Sequence, residues 1–339
     1  MDTFARFRDI IDEPKKICGL SFNEYGEIME NETENQVFLN SNILKQKNIE
    51  IDLKKNFEFY KHRVGEFKIK FRSNMILNFH KRGEGKFKKF LNGADFFFTR
   101  GTLSAISNAA KDHLSILAII IDGVIVVVRN EETFVPDNYL FTYAGLNFET
   151  FITSKNGNIT INYDKLVSNW EQYKEIYTTN IYLSNGESIK IAYSCEIDAF
   201  DKCTMMPIEI KTQFIKNLPF TINQSIFGYF KSISVSFQCL LGNVHDVVVG
   251  YKNYNNIVCS IKKYSIKDIL KDDSISKAVQ KRCCDLAKYL KNIKIMFESK
   301  NNKGCFEIKL SNEVTSKYFS EILPEVKNFF TEEFCETFF

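Results

Sequence analysis

Apolar positions along the chain fall into short blocks whose period changes, and the changes predict the elements. Residues 94–99, ADFFFT, make an apolar block that ends at Arg100-Gly101, and TLSAISNAA behind it has helical spacing, so a strand followed by a helix from about Thr102 is predicted. LSILAIII and GVIVVVR are continuous apolar runs divided by Asp122 and Gly123, the pattern of two buried strands joined by a turn. Strict alternation in SIKIAYSCEIDAFD and MPIEIKTQ predicts two more strands, residues 188–198 and 205–213, made neighbours by a short hairpin connection. Residues 221–241 have helical spacing with Gly228 against it and lead into the strand HDVVVGYKN. NIVCSIKKY reads as a strand, the segment from Ile275 to Leu290 as a helix, Gly304 to Leu310 as a strand, and the Phe-rich terminus as a helix. Residues 51–63 place Leu53, Phe57 and Tyr60 at near-helical spacing, and 166–177, LVSNWEQYKEIY, reads as an amphipathic helix. The first 66 residues are irregular and polar, anchored by Phe4, Phe7, Ile17, Leu20 and Phe22, and read as a wrapping arm. The expected fold is one α+β domain over residues 1–339, with mixed, mostly antiparallel central sheets flanked by helices. It divides into the arm and first helical layer (1–66), a core (67–310) and a C-terminal helix (311–339).

Composition narrows the functional classes. A chain of 339 residues with 44% hydrophobic positions can bury a large core, and 32 Phe and 15 Tyr against one Trp mostly fill it. The formal charge is only +3, so a nucleic-acid surface has to be a local patch and not a global field. Nine cysteines include no Cys-x-x-Cys, and four histidines show no zinc-ligand spacing, which points to reduced thiols in the nucleus or cytoplasm. The N-terminus lacks the apolar core of a secretory signal, and the longest apolar run is broken by Asp122 and Gly123, so neither secretion nor a membrane span is expected.

The densest chemistry lies in residues 195–213, CEIDAFDKCTMMPIEIKTQ. Glu196 and Asp198 are two apart, as are Glu209 and Lys211, so on extended strands each pair projects from one face. Three carboxylates brought together repel one another unless a cation sits among them. Hard oxygen ligands suit magnesium or manganese, and a lysine beside such an ion can orient water or meet a phosphate. The structural alternative is an exposed cross-strand ion-pair ladder. Two further basic features bear on a phosphate-bearing ligand. Lys81, Arg82, Lys86, Lys88 and Lys89 crowd into nine residues, as a solvated face or a phosphate-facing one. Arg100 stands where a strand passes into a helix, beside free backbone N–H groups.

In this order the segments resemble the DXO family of decapping and 5′-to-3′ exoribonucleases. EPKKICGLSFNEYGEI, FFFTRGTL, CEIDAFD, EIKT and FQCLLGNVHDVVVGYKN carry the likeness, over roughly residues 10 to 310. The resemblance implies a DXO-like nuclease fold that binds RNA 5′ ends: incompletely capped, triphosphorylated or NAD-capped. It implies Glu196, Asp198 and Glu209 as ligands of Mg2+ or Mn2+, Lys211 and Gln238 at the scissile phosphate or attacking water, and Arg100 on the RNA phosphate. A monomer is expected, with a larger 5′-to-3′ exoribonuclease as a partner. One metal-binding glutamate of the family follows a glycine and a strand; counted from Gly123, its place falls on Arg129, a cation, with Glu131 as the nearest substitute on that strand face. On that count metal binds weakly, and the alternative function is a degenerate RNA-end or protein-binding member of the fold.

Overall fold

The computed structural model describes residues 2–62, 66–129, 139–157, 167–215, 226–322 and 324–339. The N-terminal segment is more than an arm. It supplies β1 (Lys15–Ser21), β2 (Phe38–Leu39) and β3 (Ile51–Asp52), one to the larger of two sheets and two to the smaller. The helix expected over 51–63 is replaced by β3 and a 3-10 turn at Phe57–Phe59, because Asn56 adopts φ 64° and the Asp52 carboxylate accepts the Lys54 N–H. Helix α1 follows at Glu66–Arg82, then the single turn α2 (Phe87–Phe90), β4 (Phe96–Thr99), α3 (Arg100–Ile106) and the single turn α4 (Ala109–Asp112).

Strands β5 (Leu114–Ile121) and β6 (Val124–Arg129) form the expected hairpin, with Asp122 and Gly123 both at positive φ in its turn. An apolar helix that the sequence reading passed over, α5 (Leu140–Ile152), leads into β7 (Thr153–Ser154). The amphipathic helix expected over 166–177 is instead largely β8 (Tyr173–Tyr182). Tyr173, Ile176, Tyr177, Thr178 and Thr179 are aromatic or β-branched and buried on both faces, so strand pairing with β1 and with β9 (Ser188–Glu196) outweighs the helical spacing.

The chain continues through β10 (Ala199–Phe200), β11 (Pro207–Phe214), α6 (Tyr229–Gly242), β12 (Asp246–Lys252), β13 (Ile257–Ser265), the single turn α7 (Ile266–Ile269) and α8 (Asp273–Glu298). Asp272 caps α8, its side chain accepting the N–H groups of Ser274 and Ile275. The C-terminal region is not helical throughout: after β14 (Cys305–Leu310) the chain turns back as β15 (Val314–Phe319), and only then come α9 (Pro324–Lys327) and α10 (Glu332–Phe338).

Among the described residues the larger sheet runs β1-β8-β9-β4-β6-β5-β14-β15 and the smaller β3-β13-β12-β11-β10-β2-β7. Pairing is mostly antiparallel, with β4 parallel to β6 and β9, β10 parallel to β2, and β11 parallel to β12 across the α6 crossover. The expected direct pairing of 188–198 with 205–213 is therefore corrected. β9 is flanked on both sides by β8 and β4, leaving no edge for β11, so the chain leaves the larger sheet after Glu196 and enters the smaller one at Ala199. The hairpin survives in reduced form, as β10 against β11.

Three apolar layers follow. One joins the larger sheet, α3, α6 and α8 to Val247, Val249 and Tyr251 of the smaller sheet. A second covers the opposite face of the larger sheet with α1, α2 and α10, and a third packs α5 on the outer face of the smaller sheet. No helix among the described residues is long and apolar enough to cross a membrane, and all nine cysteines are free thiols.

Candidate active site

The site forms where the chain passes between the sheets. Glu196 ends β9, Asp198 stands in the two-residue crossover, and Glu209 and Lys211 lie on β11. Of β11, strand β10 pairs only with Pro207 and Ile208, so among the described residues no strand covers the outer edge of β11 from Glu209 onward. Side chains stitch that edge. The Asp198 carboxylate accepts the Ile210 N–H at 2.7 Å, Lys211 Nζ donates to the Ile210 carbonyl at 3.0 Å, and Lys231 Nζ donates to the Thr212 carbonyl at 2.6 Å.

Arg100 reaches the same place from the other sheet. Its backbone starts α3, capped by Thr99, whose hydroxyl accepts the Thr102 N–H. Its Nη1 donates to Glu209 Oε2 at 3.0 Å, while Glu209 Oε1 meets Lys211 Nζ in an ion-pair contact without hydrogen-bond alignment. Lys211 also stands 3.5 Å from Asp198. Glu196 is more exposed and lies 3.9 Å from Lys174, its partner across β8 and β9.

The fourth carboxylate comes from an element the sequence reading missed. Glu149, the single charged residue of α5, lies within electrostatic range of Asp198, Lys211, Glu196 and Glu209. Close packing holds it there: a Cβ on Gly250 of β12 would sit 2.4 Å from the Phe148 ring, so glycine is what lets α5 lie this near the sheet. The signal in the sequence was a lone Glu in an apolar helix, four residues after Gly145. Arg129, expected in this place, is exposed at the end of β6, and the guanidinium on Glu209 is that of Arg100; Glu131 lies outside the described residues.

Gln238 is half-buried on α6, one turn before Gly242 and so on the same face, where a Cβ on Gly242 would stand 3.5 Å from Arg100 Nη1 and 3.4 Å from Cys195 Sγ. No hydrogen bond ties its amide to the carboxylates among the described residues. The basic run is not beside Arg100. Phe79 and Phe87 seat it with Phe97 on one face of the larger sheet, whereas α3 packs with Phe96 and Phe98 on the other. Three of its five charges are spent locally, Arg82 on Glu32, Lys88 on Asp95 and Lys89 on Glu84.

The electrostatics follow from crowding. Burial and the Glu209 charge push Asp198 up to about 6, against the pull of Lys211, Arg100 and the Ile210 N–H. Burial and the neighbouring Asp198 raise Glu149 well above the usual carboxylate range. Glu209 is buried too, yet Arg100 and Lys211 prevail and hold it down at about 2. Lys211 is desolvated, but Glu209, Asp198 and Glu149 raise it and keep it charged.

Comparison with known proteins gives the family. The model of RAI1-like PD-(D/E)XK nucleases matches residues 12–335. The chain belongs to that family. Solved RAI1-like structures share the fold at low identity. Candida albicans Rai1 in complex with pU5-Mn2+ is 17% identical, with a TM-score of 0.71 over 96% of this chain and 95% of that one. S. pombe Rai1 is 17% identical at 0.67, covering 91% and 94%. K. lactis Dxo1 in complex with manganese is 17% identical at 0.62, covering 92% and 91%. No curated protein sequence matches the chain significantly.

As placed, the carboxylates turn toward Lys211, Arg100 and Lys174, and no group of three or more His, Cys, Asp or Glu among the described residues stands close enough to hold an ion. The donor chemistry nonetheless fits a hard divalent cation in this RAI1-like chain. The donors are all carboxylate oxygens, and two of them are pushed up in pKa by burial and by the charge of their neighbours, a condition that an entering cation relieves.

Proposed function

We propose that this RAI1-like chain is a metal-dependent hydrolase of RNA 5′ ends, acting on triphosphorylated or incompletely capped RNA and on ends carrying a nicotinamide dinucleotide cap. The observation that carries the reading is the group of four carboxylates, Glu149, Glu196, Asp198 and Glu209, gathered at one open strand edge with Lys211. Relatives add support: Scheffersomyces stipitis Rai1 has been solved with (3′-NADP)+ and calcium ion, and S. pombe Rai1 with 3′-FADP.

Glu149, Asp198 and Glu209 would hold Mg2+ or Mn2+, with Glu196 at the rim. The ion supplies charge neutralisation at the scissile phosphate and a more acidic water. Lys211, kept charged by its carboxylate neighbours, is placed to hold a non-bridging phosphate oxygen or orient the attacking water. Arg100 exchanges its Glu209 contact for the substrate phosphate, and Gln238 lies on the α6 face toward it. The degenerate alternative rested on a cation at the fourth ligand position; a carboxylate, Glu149, within electrostatic range of the cluster supports the active reading.

The test is manganese calorimetry together with hydrolysis of 5′-triphosphate, 5′-monophosphate and NAD-capped RNA by the wild type, Glu149→Gln and Glu209→Ala. Metal binding and turnover in the wild type, both diminished in the two variants, are expected. Turnover that Glu149→Gln leaves intact would remove Glu149 from the ligand set, and absence of metal binding in the wild type would overturn the proposal.

A further inference from the structure

The open edge of β11 does not end at the carboxylates. Glu209, Lys211 and Gln213 alternate on one face of the strand, and the edge continues for three residues past Lys211, about 10 Å, to Phe214. Lys231, half-buried on α6, lies along this stretch, donating to the Thr212 carbonyl at 2.6 Å and to Gln213 Oε1 at 3.1 Å. Burial and the nearby charges of Lys211 and Lys252 push its ammonium down to about 8. A line of cations, in which Lys231 has no carboxylate partner among the described residues, then meets a group of rings. Phe214 packs edge-on against Tyr254, centroids 4.1 Å apart, and Tyr254 keeps 69% of its surface exposed. Beside them the Lys252 ammonium lies 5.6 Å from the ring of Phe141, itself 68% exposed.

A desolvated lysine that caps a strand edge is by itself structural. Two exposed aromatic rings at the end of the same track are not, because solvent-facing rings next to unneutralised cations are the composition of single-strand nucleic-acid grooves, where phosphates meet ammonium groups and bases stack on ring faces. Resting on the RNA 5′-end reading of the carboxylate site, we propose that this edge is a nucleotide subsite: Lys231 takes the phosphate adjoining the one at Lys211, and Tyr254, braced by Phe214, stacks the base that belongs to it. Phe141 with Lys252 closes the far side. Such a subsite reads no sequence, since every base has a π face. It gives hold on the strand behind the cleaved linkage, which a protein working along RNA needs.

The test compares two 3′-labelled probes of equal length and charge by fluorescence anisotropy, 5′-phosphorylated pentauridylate and the same phosphate chain without bases. The wild type is expected to prefer the base-bearing probe by about tenfold, the scale of one base stacked on an aromatic ring. Tyr254→Ala should abolish the preference and Tyr254→Phe should keep it. Lys231→Gln should weaken both probes alike and reduce the slope of log affinity against log salt by about one, with Lys231→Arg restoring it. Thermal melts of each variant separate these effects from damage to the β11 edge. A preference that persists in Tyr254→Ala, or a salt slope unchanged in a folded Lys231→Gln protein, overturns the subsite while leaving the carboxylate site standing. A wild type that binds neither probe overturns the RNA reading itself, and the subsite with it.

Discussion

Two buried carboxylates lie near Cys195, and they are treated in opposite ways. Glu175 stands directly across β8 and β9 from Cys195 and is 3% exposed. Three donors converge on it: the Lys16 ammonium and the hydroxyls of Tyr173 and Tyr177. Glu209, 2% exposed, has Arg100 and Lys211, but both cations also act on Asp198, and Lys211 acts on Glu149 as well. The first site has more donors than negative charge; the second has more negative charge than it can pair. A carboxylate buried for stability is surrounded by donors, whereas a site built to take up a cation keeps its carboxylates short of one.

Breaking the well-paired side should cost most. Glu175→Ala leaves two buried tyrosine hydroxyls without their acceptor, while Lys16 keeps solvent and the Tyr173 hydroxyl, and a loss of about 2–4 kcal/mol is expected from thermal or urea unfolding. A loss under about 1 kcal/mol would show that water replaces the carboxylate and that the contrast is overdrawn. On the crowded side, Lys211→Ala should reduce turnover by about 10²–10³-fold, the usual effect of one preorganised charged group, with a smaller change in KM.

The crowding itself has a pH signature. Asp198 at about 6, and Glu149 higher than its ordinary value, retain protons that an entering ion displaces. Manganese affinity should therefore rise with pH through 6, by about tenfold per unit for each proton released. Calorimetry in buffers of different ionisation enthalpy measures that release directly, and an affinity flat between pH 5 and 7 would count against it.

Smaller effects sharpen the same contrast. A carboxyl whose folded pKa is raised favours the fold at low pH and opposes it once pH exceeds its ordinary value, 4.5 for Glu149. Glu149→Gln removes that opposition, so the metal-free protein should gain up to about 1 kcal/mol at pH 7 and nothing at pH 4. Arg129→Glu should do least: a change within about 0.5 kcal/mol in stability and unaltered manganese binding, because the side chain is exposed at the end of β6 and outside the cluster. A gain in metal affinity on that substitution would return Arg129 to the site.

Much of the chemistry was legible in local pattern. Alternation placed Glu209 and Lys211 on one strand face, continuous apolar runs marked β5, β6 and β12, and the aromatic strand before Arg100 marked the start of α3. These depend on residues near in sequence, and strand periodicity of two fixes which side chains share a face. The order of such segments carried the family likeness as well.

Which sheet each strand joined was not legible. β9 and β11 looked like partners because their connection is short, but β9 has both edges taken by strands distant in sequence, and pairing energy comes from those neighbours. For the same reason β8 resembled a helix until β1 and β9 enclosed it. Glu149 shows the limit most clearly. Counting from a glycine led to Arg129, whereas the fourth carboxylate arrives on a helix that Gly250 allows to settle against Phe148, a contact between residues 102 positions apart. The sequence by itself determined which residue types were present to hold a cation and that a strand would present two of them. Only the tertiary structure decided which carboxylates meet, because electrostatic crowding depends on distance in space and no local pattern encodes that distance.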